Sequence, residues 1–326
     1  MVKKGQFFSS QKKHSIFTSL LRMTRTLRLV YPEWQGGWPQ NIANCLGNKF
    51  SVKDTQLGYN LGSHIMNLVV PESKDPRDCA AEVPISTEYN EKSLAIEDHI
   101  YAKRTIMSHL SNAISILKEK NPERTVVIGG ECAVSVAPFK YMIDKYGPDN
   151  VAMIWIDAHP DLIIPGDGDE SRQGFHEMPI PHIMGLKGTD KDILNILPKN
   201  GNLKPENLLY VGLHIIGDIE TKRMGELKLQ KLSPEEFRES PQKLNEFIQK
   251  TKCKKVVVHL DLDVLEPEEL YCAVGREPNG MYIREVIDAM NRISNESEIV
   301  ALTIAEHMPQ IQMKLRNMFG EFSLFK

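Results

Sequence analysis

The feature that most constrains the fold is a series of continuous apolar runs, each of strand length and each followed by a turn. These runs occupy residues 125–128, 151–156, 208–211, 255–260 and 299–304. Apolar runs without polar alternation are typical of strands buried on both faces of a parallel sheet. Helical patterns lie between or beside them, at 97–119, 133–145, 234–250 and 281–293. The alternation predicts an α/β fold of three αβα layers around a mostly parallel sheet.

Length, charge and cysteine usage narrow the class of protein. The 326 residues suffice for one large domain, and the net charge of −3 gives no reason to expect nucleic acid or an anionic membrane as a partner. No apolar stretch approaches the ~20 residues that span a bilayer. The number of cysteines is odd and no two are close in sequence, so we expect reduced thiols in a cytoplasmic protein. They are Cys45, Cys79, Cys132, Cys253 and Cys272.

The N-terminus differs from the rest of the chain. Residues 1–32 carry seven lysines and arginines and no acid before Glu33. We predict a disordered basic extension at 1–24 and one α/β domain at 25–326. A basic, acid-poor leader that contains serine is also compatible with organellar targeting, or with a folded protein that begins near Met23.

Polar and charged side chains follow several of the apolar runs. Ligands of open α/β sheets bind outside the carboxyl ends of the strands, so these side chains should meet at one edge. Such a concentration of carboxylates would raise the pKa of each, and a divalent cation removes the repulsion. Oxygen ligands with one imidazole suit Mn²⁺, Mg²⁺, Fe²⁺ or Zn²⁺. The side chains are Glu131, Cys132, Asp157, His159, Asp161, Asp261, Asp263, Glu306 and His307.

Each of these motifs alone would usually be a loop start or a helix cap. An Asp-x-His-x-Asp motif (Asp157 to Asp161) and an Asp-x-Asp motif (Asp261 to Asp263) both follow buried runs about 100 residues apart, and this favours a metal site.

The motifs resemble those of the arginase, agmatinase and formiminoglutamase superfamily. IDAHPDL at 156–162 and HLDLDVLEP at 259–267 resemble its two metal-binding signatures. GGEC at 129–132 resembles its Gly-Gly-Asp-His segment, and GFH at 174–176 resembles its loop histidine motif. EHMP at 306–309 resembles its late Glu-x-x-Pro segment.

The resemblance implies hydrolysis of a guanidino or formimino group with two Mn²⁺ ions that activate a water. Asp157 and Asp261 would bridge both ions. His159 and Asp263 would complete one ion, while Asp161 and position 132 would complete the other. His176 would pass a proton to the leaving amine, and Glu306 would pair with the cationic head of the substrate.

The first departure from the family pattern is Cys132, where the family has histidine. A cysteine binds metal only as a thiolate and reaches less far than an imidazole. Three interpretations stay open. Cys132 is a replacement ligand, or it is not a ligand and leaves one strong metal site, or catalysis has been lost. Two Mn²⁺ are therefore expected and one is possible, with Zn²⁺ or Fe²⁺ less favoured.

Further departures concern the substrate. Arg172 and Gln173 stand where the arginase-like loop has small polar residues that help to hold an α-amino acid. Acids expected near the substrate amine are missing at 215–217, although Asp218 and Glu220 lie close in sequence. We therefore doubt true arginase activity. Arg172 or Arg276 is a candidate to receive an anionic group of the substrate.

Three functional classes compete. The first is a metal-dependent hydrolase that cleaves a C–N bond of a linear guanidine or amidine. The second is a single-metal deacylase on the same fold, although such enzymes usually carry a tandem histidine pair that this sequence lacks. The third is an inactive relative. The resemblance also implies a homo-oligomer, a trimer or a hexamer, that acts on a small molecule.

Overall fold

The structure is a computed structural model that describes residues 25–168 and 172–325. The predicted extension at 1–24 lies outside the described residues. Within the described ranges, eight parallel strands form the central sheet, and two short strands form a separate hairpin, β3 and β4. The strands are β1 (Thr26–Tyr31), β2 (Cys79–Glu82), β3 (Ile96–Glu97), β4 (Ile100–Tyr101), β5 (Arg124–Gly129), β6 (Val151–Ile156), β7 (Leu208–Val211), β8 (Gln230–Leu232), β9 (Lys255–Asp261) and β10 (Glu298–Ala305).

The order of the strands decides which motifs can meet. The central sheet runs β2-β1-β5-β10-β9-β6-β7-β8, and every pairing in it is parallel. Strands β5, β10, β9 and β6 are therefore neighbours, although they are far apart in sequence. Their carboxyl ends lie at one edge, where the predicted site residues follow.

Helices connect the strands, and their ends follow ordinary capping chemistry. Ser51 and Asp54 form a reciprocal capping box at the start of one helix, which satisfies two of its free backbone N–H groups. The α-helices are Pro39–Cys45, Val52–Val69, Lys103–Lys120, Val136–Tyr146, Pro179–Met184, Lys191–Ile196, Asp218–Leu227, Pro234–Glu239, Gln242–Thr251, Ile283–Glu296 and Gln310–Gly320. Short 3₁₀ turns lie at Cys132–Ser135, Phe175–Glu177, Pro205–Asn207, Leu262–Val264 and Ser323–Phe325.

Two clusters of buried side chains pack on the sheet. The larger contains Trp155 and Phe139, and the smaller contains Val258 and Phe247. Residues 256–258 of β9 are all fully buried, as the continuous apolar run predicts. Helices cover both faces, so the predicted three-layer αβα class is confirmed. Among the described helices, none has the length and apolarity to cross a bilayer.

Two helix predictions are wrong in detail. The pattern at 97–119 begins with the β3–β4 hairpin, and the helix starts only at Lys103. The pattern at 234–250 is two helices that break at Ser240 and Pro241. Proline has no N–H to continue the first helix and disfavours helical geometry in the preceding residue, which explains the break.

Candidate metal centre and pocket

The predicted metal ligands lie together at the carboxyl ends of β5, β9 and β6. Asp157 directly follows β6, Asp261 is the last residue of β9, and Cys132 opens the 3₁₀ turn after β5. Two groups of possible ligand atoms result, and they share Asp157. We call Asp157, His159 and Asp263 the outer group. We call Cys132, Asp157, His259 and Asp261 the inner group, whose four residues are all buried.

In the outer group, His159 forms ion pairs with the carboxylates of Asp263 and Asp157. His159 Nδ1 lies 3.1 Å from Asp263 Oδ2 and 3.6 Å from Asp157 Oδ1. Burial alone would lower the pKa of His159, but these carboxylates raise it well above its usual range. Burial raises the pKa of Asp263, and His159 outweighs this and lowers it. Backbone N–H groups hold the aspartates: His159 N donates to Asp157 Oδ1 at 2.6 Å.

In the inner group, burial favours the uncharged forms of the side chains. The Cys132 thiol donates to Asp261 Oδ2 at 2.9 Å. Burial and the neighbouring Asp261 carboxylate raise the pKa of Cys132 well above its usual range. Burial, followed by the charges of Asp263 and Asp157, also raises the pKa of Asp261. By contrast, burial lowers the pKa of His259 to about 3, so its imidazole is neutral.

Two acidic residues beside these groups have backbone conformations that are rare for residues other than glycine. Asp161 has φ 46° and Glu306 has φ 67°. Left-handed geometry at such residues costs energy and often marks functional sites. Burial raises the pKa of both carboxyls. Glu306 Oε1 lies 3.7 Å from Cys132 Sγ, and its Oε2 accepts a short hydrogen bond from the Tyr59 hydroxyl.

A cavity of about 510 Å³ opens above these residues. His176 lies on its wall, where its Nδ1 donates to the Gly36 carbonyl at 2.8 Å. Arg172 lies on the same wall, and its Nε donates to Glu177 Oε2 at 2.6 Å while Nη2 binds Glu220. The described lining is Gly37, Asn41, Ile42, Cys45, Tyr59, Cys132, His159, Pro160, Asp161, Arg172, His176, Glu177, Ile215, Ile216, Gly217, Glu220, Asp261, Asp263, Val274, Gly275, Glu277 and Glu306.

Some residues that the sequence singles out lie elsewhere. Glu131 is buried, but its Oε2 caps the Ala133 N–H at 2.7 Å and it belongs to neither ligand group. Asp218 and Arg276 are exposed and are not among the residues that line the cavity. His307 is half-buried and its Nδ1 bonds to the Cys272 carbonyl at 3.1 Å. Glu220, in contrast, is buried on the cavity wall.

Two residues of the site are not predicted by the sequence. His259 is hidden inside an apolar strand run, although its position two residues before Asp261 places both side chains on one face of β9. Tyr59 lies on the helix Val52–Val69 and is 247 residues from the Glu306 that it contacts. The strand period could have found His259, but no local signal marks Tyr59.

Comparison with known proteins agrees with this geometry. A sequence model of the arginase family matches residues 71–317, which is most of the chain. The chain belongs to the arginase family. It is 23% identical over 206 residues to the arginase of Entamoeba histolytica, a match that covers 62% of this chain and 68% of that protein. It is 24% identical over 244 residues to arginase 2 (chloroplastic/mitochondrial) of Arabidopsis thaliana, covering 73% of this chain and 61% of that protein.

Solved arginase structures share the fold. The Entamoeba histolytica arginase, crystallised with L-ornithine, superposes with a TM-score of 0.67 at 16% identity, covering 91% of this chain and 97% of that one. The Bacillus subtilis formimidoylglutamase superposes with a TM-score of 0.57 at 16% identity, covering 88% of this chain and 81% of that one. The homologues are hydrolases that act on small molecules, and the arginase family is metal-dependent.

The residues of the site fit divalent cations. Asp161 Oδ2, Asp263 Oδ1 and His259 Nε2 are buried without a hydrogen-bond partner among the described residues. A buried polar atom without a partner is costly, and all three atoms belong to carboxylate or imidazole side chains of the kind that metals bind. The two groups around Asp157 therefore combine the donor chemistry and the unmet bonding capacity of a metal centre.

Proposed function

We propose that this chain is a metal-dependent hydrolase that cleaves a C–N bond of a linear guanidine or amidine. The observation that carries the proposal is the pair of ligand groups that share Asp157 at the base of a cavity. A shared carboxylate between two clusters of donors suits two adjacent cations, and such centres catalyse hydrolysis in other proteins.

The aspartates and His159 would hold the metal. By the family resemblance, His159 and Asp263 would serve the outer position and Asp161 the inner one, while Asp157 and Asp261 would serve both. Mn²⁺ is the ion that the family resemblance predicts. When bound, such ions lower the pKa of a coordinated water towards neutrality and supply positive charge beside the reacting carbon.

Glu306 would orient the substrate. Its Oε2 is held by Tyr59, so the carboxylate is fixed with Oε1 towards the inner group. A guanidinium or amidinium head would favour the charged form of this buried carboxyl, because an opposite charge offsets the desolvation that raises its pKa. The resulting contact is charge-assisted and directional, and it would hold the planar head in one orientation.

His176 would move the proton. Its Nδ1 donates to the Gly36 carbonyl, which leaves Nε2 as the nitrogen available for proton transfer. The half-buried ring lines the cavity. An imidazole in this position can take a proton from water and return it to the leaving amine.

Arg172 is our candidate for the contact with the far end of the substrate. Glu177 and Glu220 already bind its guanidinium, so an anionic group would have to displace one of them. An Arg172→Ala variant tests this role. The KM for guanidinobutyrate should rise about tenfold, since a charge-assisted contact is lost, while the KM for agmatine should not rise. Unchanged KM for both would remove Arg172 from substrate binding.

The decisive experiment loads the purified chain with Mn²⁺, Zn²⁺ or Co²⁺ and assays four substrates: arginine, agmatine, guanidinobutyrate and formiminoglutamate. We expect turnover of at least one, and a His176→Asn variant should lose about 100-fold in kcat while it keeps its metal. A His64→Asn variant is the matched control, because His64 lies on the helix Val52–Val69 and outside the cavity.

The outcomes separate the competing classes. An acetylated amine is assayed beside the four substrates. Its turnover, with no turnover of any guanidine or amidine, would favour the single-metal deacylase. Metal binding without turnover of any substrate would favour an inactive relative. The predicted trimer or hexamer stays a proposal, which sedimentation of the metal-loaded chain would test.

A further inference from the structure

His259 is a buried side chain of the site that the expected mechanism does not use. It is fully buried, and its Nε2 has no hydrogen-bond partner among the described residues. That nitrogen lies 3.8 Å from Asp157 Oδ2. Ligand atoms of His259, Cys132, Asp157 and Asp261 all lie within 4.8 Å of one another. The imidazole therefore points its unbonded nitrogen into the inner group.

The fold fixes this orientation from two sides. The Ser135 hydroxyl lies 2.8 Å from His259 Nδ1, so Nδ1 is occupied and Nε2 is the nitrogen left over. Trp155 pairs with His259 across β6 and β9, and the two rings stack with centroids 3.7 Å apart and planes 11° apart. A ring held by stacking and by a hydrogen bond at its other nitrogen has the arrangement that positions metal-binding histidines in proteins.

The imidazole of His259 could replace a histidine ligand that this chain lacks. The family resemblance places a histidine where this chain has Cys132, so one imidazole is missing from the 3₁₀ turn after β5. Here an imidazole reaches the same carboxylates from β9, beneath Asp261. Cys132 Sγ lies 2.9 Å from Asp261 Oδ2, which keeps the sulfur within the same group.

We propose that the inner group is a remodelled metal site in which His259 Nε2 and Cys132 Sγ join Asp157 and Asp261 as ligands. A set of one sulfur, one nitrogen and two carboxylate oxygens is softer than the oxygen-rich set of the family, and it favours Zn²⁺ or Co²⁺ over Mn²⁺. On binding, the cysteine gives up its proton to solvent, because only the thiolate is a ligand. The inference concerns the centre of the proposed function, but its test needs no turnover.

The test compares variants at position 259 in the full chain. The protein is stripped with a chelator and dialysed against Zn²⁺, Co²⁺ or Mn²⁺, and bound metal is measured by elemental mass spectrometry. His259→Asn keeps an amide near Ser135 and removes the Nε2 ligand. We expect wild type to bind two Zn²⁺ per chain and His259→Asn to bind one, with the other site weakened about 100-fold or more. His64→Asn is the control and should bind two.

Metal binding by the Cys132 thiolate is tested separately, by absorption spectroscopy. Co²⁺ bound to sulfur shows an intense near-ultraviolet charge-transfer band, and we expect this band in wild type and its loss in Cys132→Ser. Two Zn²⁺ per chain at unchanged affinity in His259→Asn would overturn the role of His259. A Co²⁺-loaded wild type without the band would overturn that of Cys132. If His259→Asn does not fold, His259→Gln serves instead, because it too lacks the imidazole nitrogen, and two Zn²⁺ per chain at unchanged affinity in it would overturn the role of His259.

These measurements separate the inference from the proposed function. Two metals that depend on His259, with no turnover of any of the four substrates, would support the inference and contradict the hydrolase. Turnover in a protein whose metal content does not change in the His259 and Cys132 variants would support the hydrolase and contradict the inference.

Discussion

The two ligand groups differ in how they balance charge without metal. In the outer group, His159 is a cation between Asp263 and Asp157, and the carboxylate of Asp263 has a lowered pKa. In the inner group, burial raises the pKa of Cys132 and Asp261 and lowers that of His259, so it favours the uncharged form of each. The outer group follows the family motif, whereas the inner group departs from it. Because a cation would meet an imidazolium ion pair in the first and a thiol in the second, the two should differ in affinity and in response to pH.

The largest effect is expected from Asp157, because this residue belongs to both groups. Its Oδ1 lies towards His159 at 3.6 Å, and its Oδ2 lies towards His259 at 3.8 Å. An Asp157→Asn variant keeps the volume and removes the charge. We expect loss of both metals and a fall in turnover beyond the ~10–100-fold typical of outer-shell changes. An Asp263→Asn variant is the comparison and should empty the outer group alone. Elemental analysis that finds one metal retained in Asp157→Asn would show that the groups do not share this residue.

A smaller effect is expected from Trp155, whose Nε1–H donates to Asp157 Oδ2 at 2.8 Å. Trp155→Phe removes this donor and keeps an aromatic ring beside His259. Because Oδ2 is the oxygen on the side of the inner group, the affinity for the inner metal should fall about tenfold and that for the outer metal should hold. Titration with Co²⁺ followed by absorbance distinguishes the two sites.

The control for Trp155 is Trp34→Phe, a change of the same type at another buried tryptophan. Thermal unfolding of both metal-free variants checks that each still folds. An equal loss of affinity at both sites in Trp155→Phe would mean that the tryptophan holds the whole aspartate and does not discriminate between its oxygens.

Much of the fold follows from the apolar runs. The continuous apolar runs of β5, β6, β7, β9 and β10 predict a parallel sheet without knowledge of its order. Strand β1 is harder to predict, since Arg28 and Thr26 interrupt its apolar residues and it follows the basic segment. Strand β8 has three residues, too few for a periodic signal. These strands are defined by their pairing partners and not by their own pattern.

The candidate site, too, can be predicted from local sequence only in part. The strand-end motifs predict that Asp157, Asp261 and Asp263 meet, because parallel strands bring their carboxyl ends to one edge. Local sequence does not predict that Tyr59 holds Glu306 or that Glu220 binds Arg172, since these contacts join distant segments. Nor does local sequence predict that two carboxylates lie beside Arg172 and compete with any anionic group of the substrate.

The smallest effect is expected in the stability of the metal-free protein as the pH changes. Burial raises the pKa of Asp161, Asp261 and Glu306, so the folded chain keeps protons that the unfolded chain has released above about pH 4. The unfolded state then binds fewer protons, and the free energy of unfolding falls as pH rises through the folded pKa values. The raised pKa of His159 acts in the same direction above about pH 6.5.

Buried histidines act in the opposite direction, but only at lower pH. Burial lowers the pKa of His182 to about 4 and that of His259 to about 3, so the unfolded chain gains their protons first as pH falls below about 6.5. Above that value the carboxyls and His159 dominate up to about pH 8, which is the pKa of Glu306. Above about pH 8 the buried Lys140, whose pKa burial lowers to about 8, acts in the opposite direction. The Tm of the metal-free chain should therefore fall by several degrees between about pH 6.5 and 8, at roughly 2–4 °C per kcal/mol.

Calorimetry of metal-free and Zn²⁺-loaded protein across this range makes the measurement. Bound metal favours the deprotonated ligands, so the loaded protein should gain stability over the metal-free protein as pH rises. In Glu306→Gln one of the protonated carboxyls is replaced by a neutral amide, and the decline of the metal-free Tm should be shallower. A metal-free Tm that stays level or rises from about pH 6.5 to 8 would show that the buried carboxyls Asp161, Asp261 and Glu306 do not keep their protons in the folded chain. The contrast between the two groups would then reduce to their ligand types, because both would be charged before metal arrives.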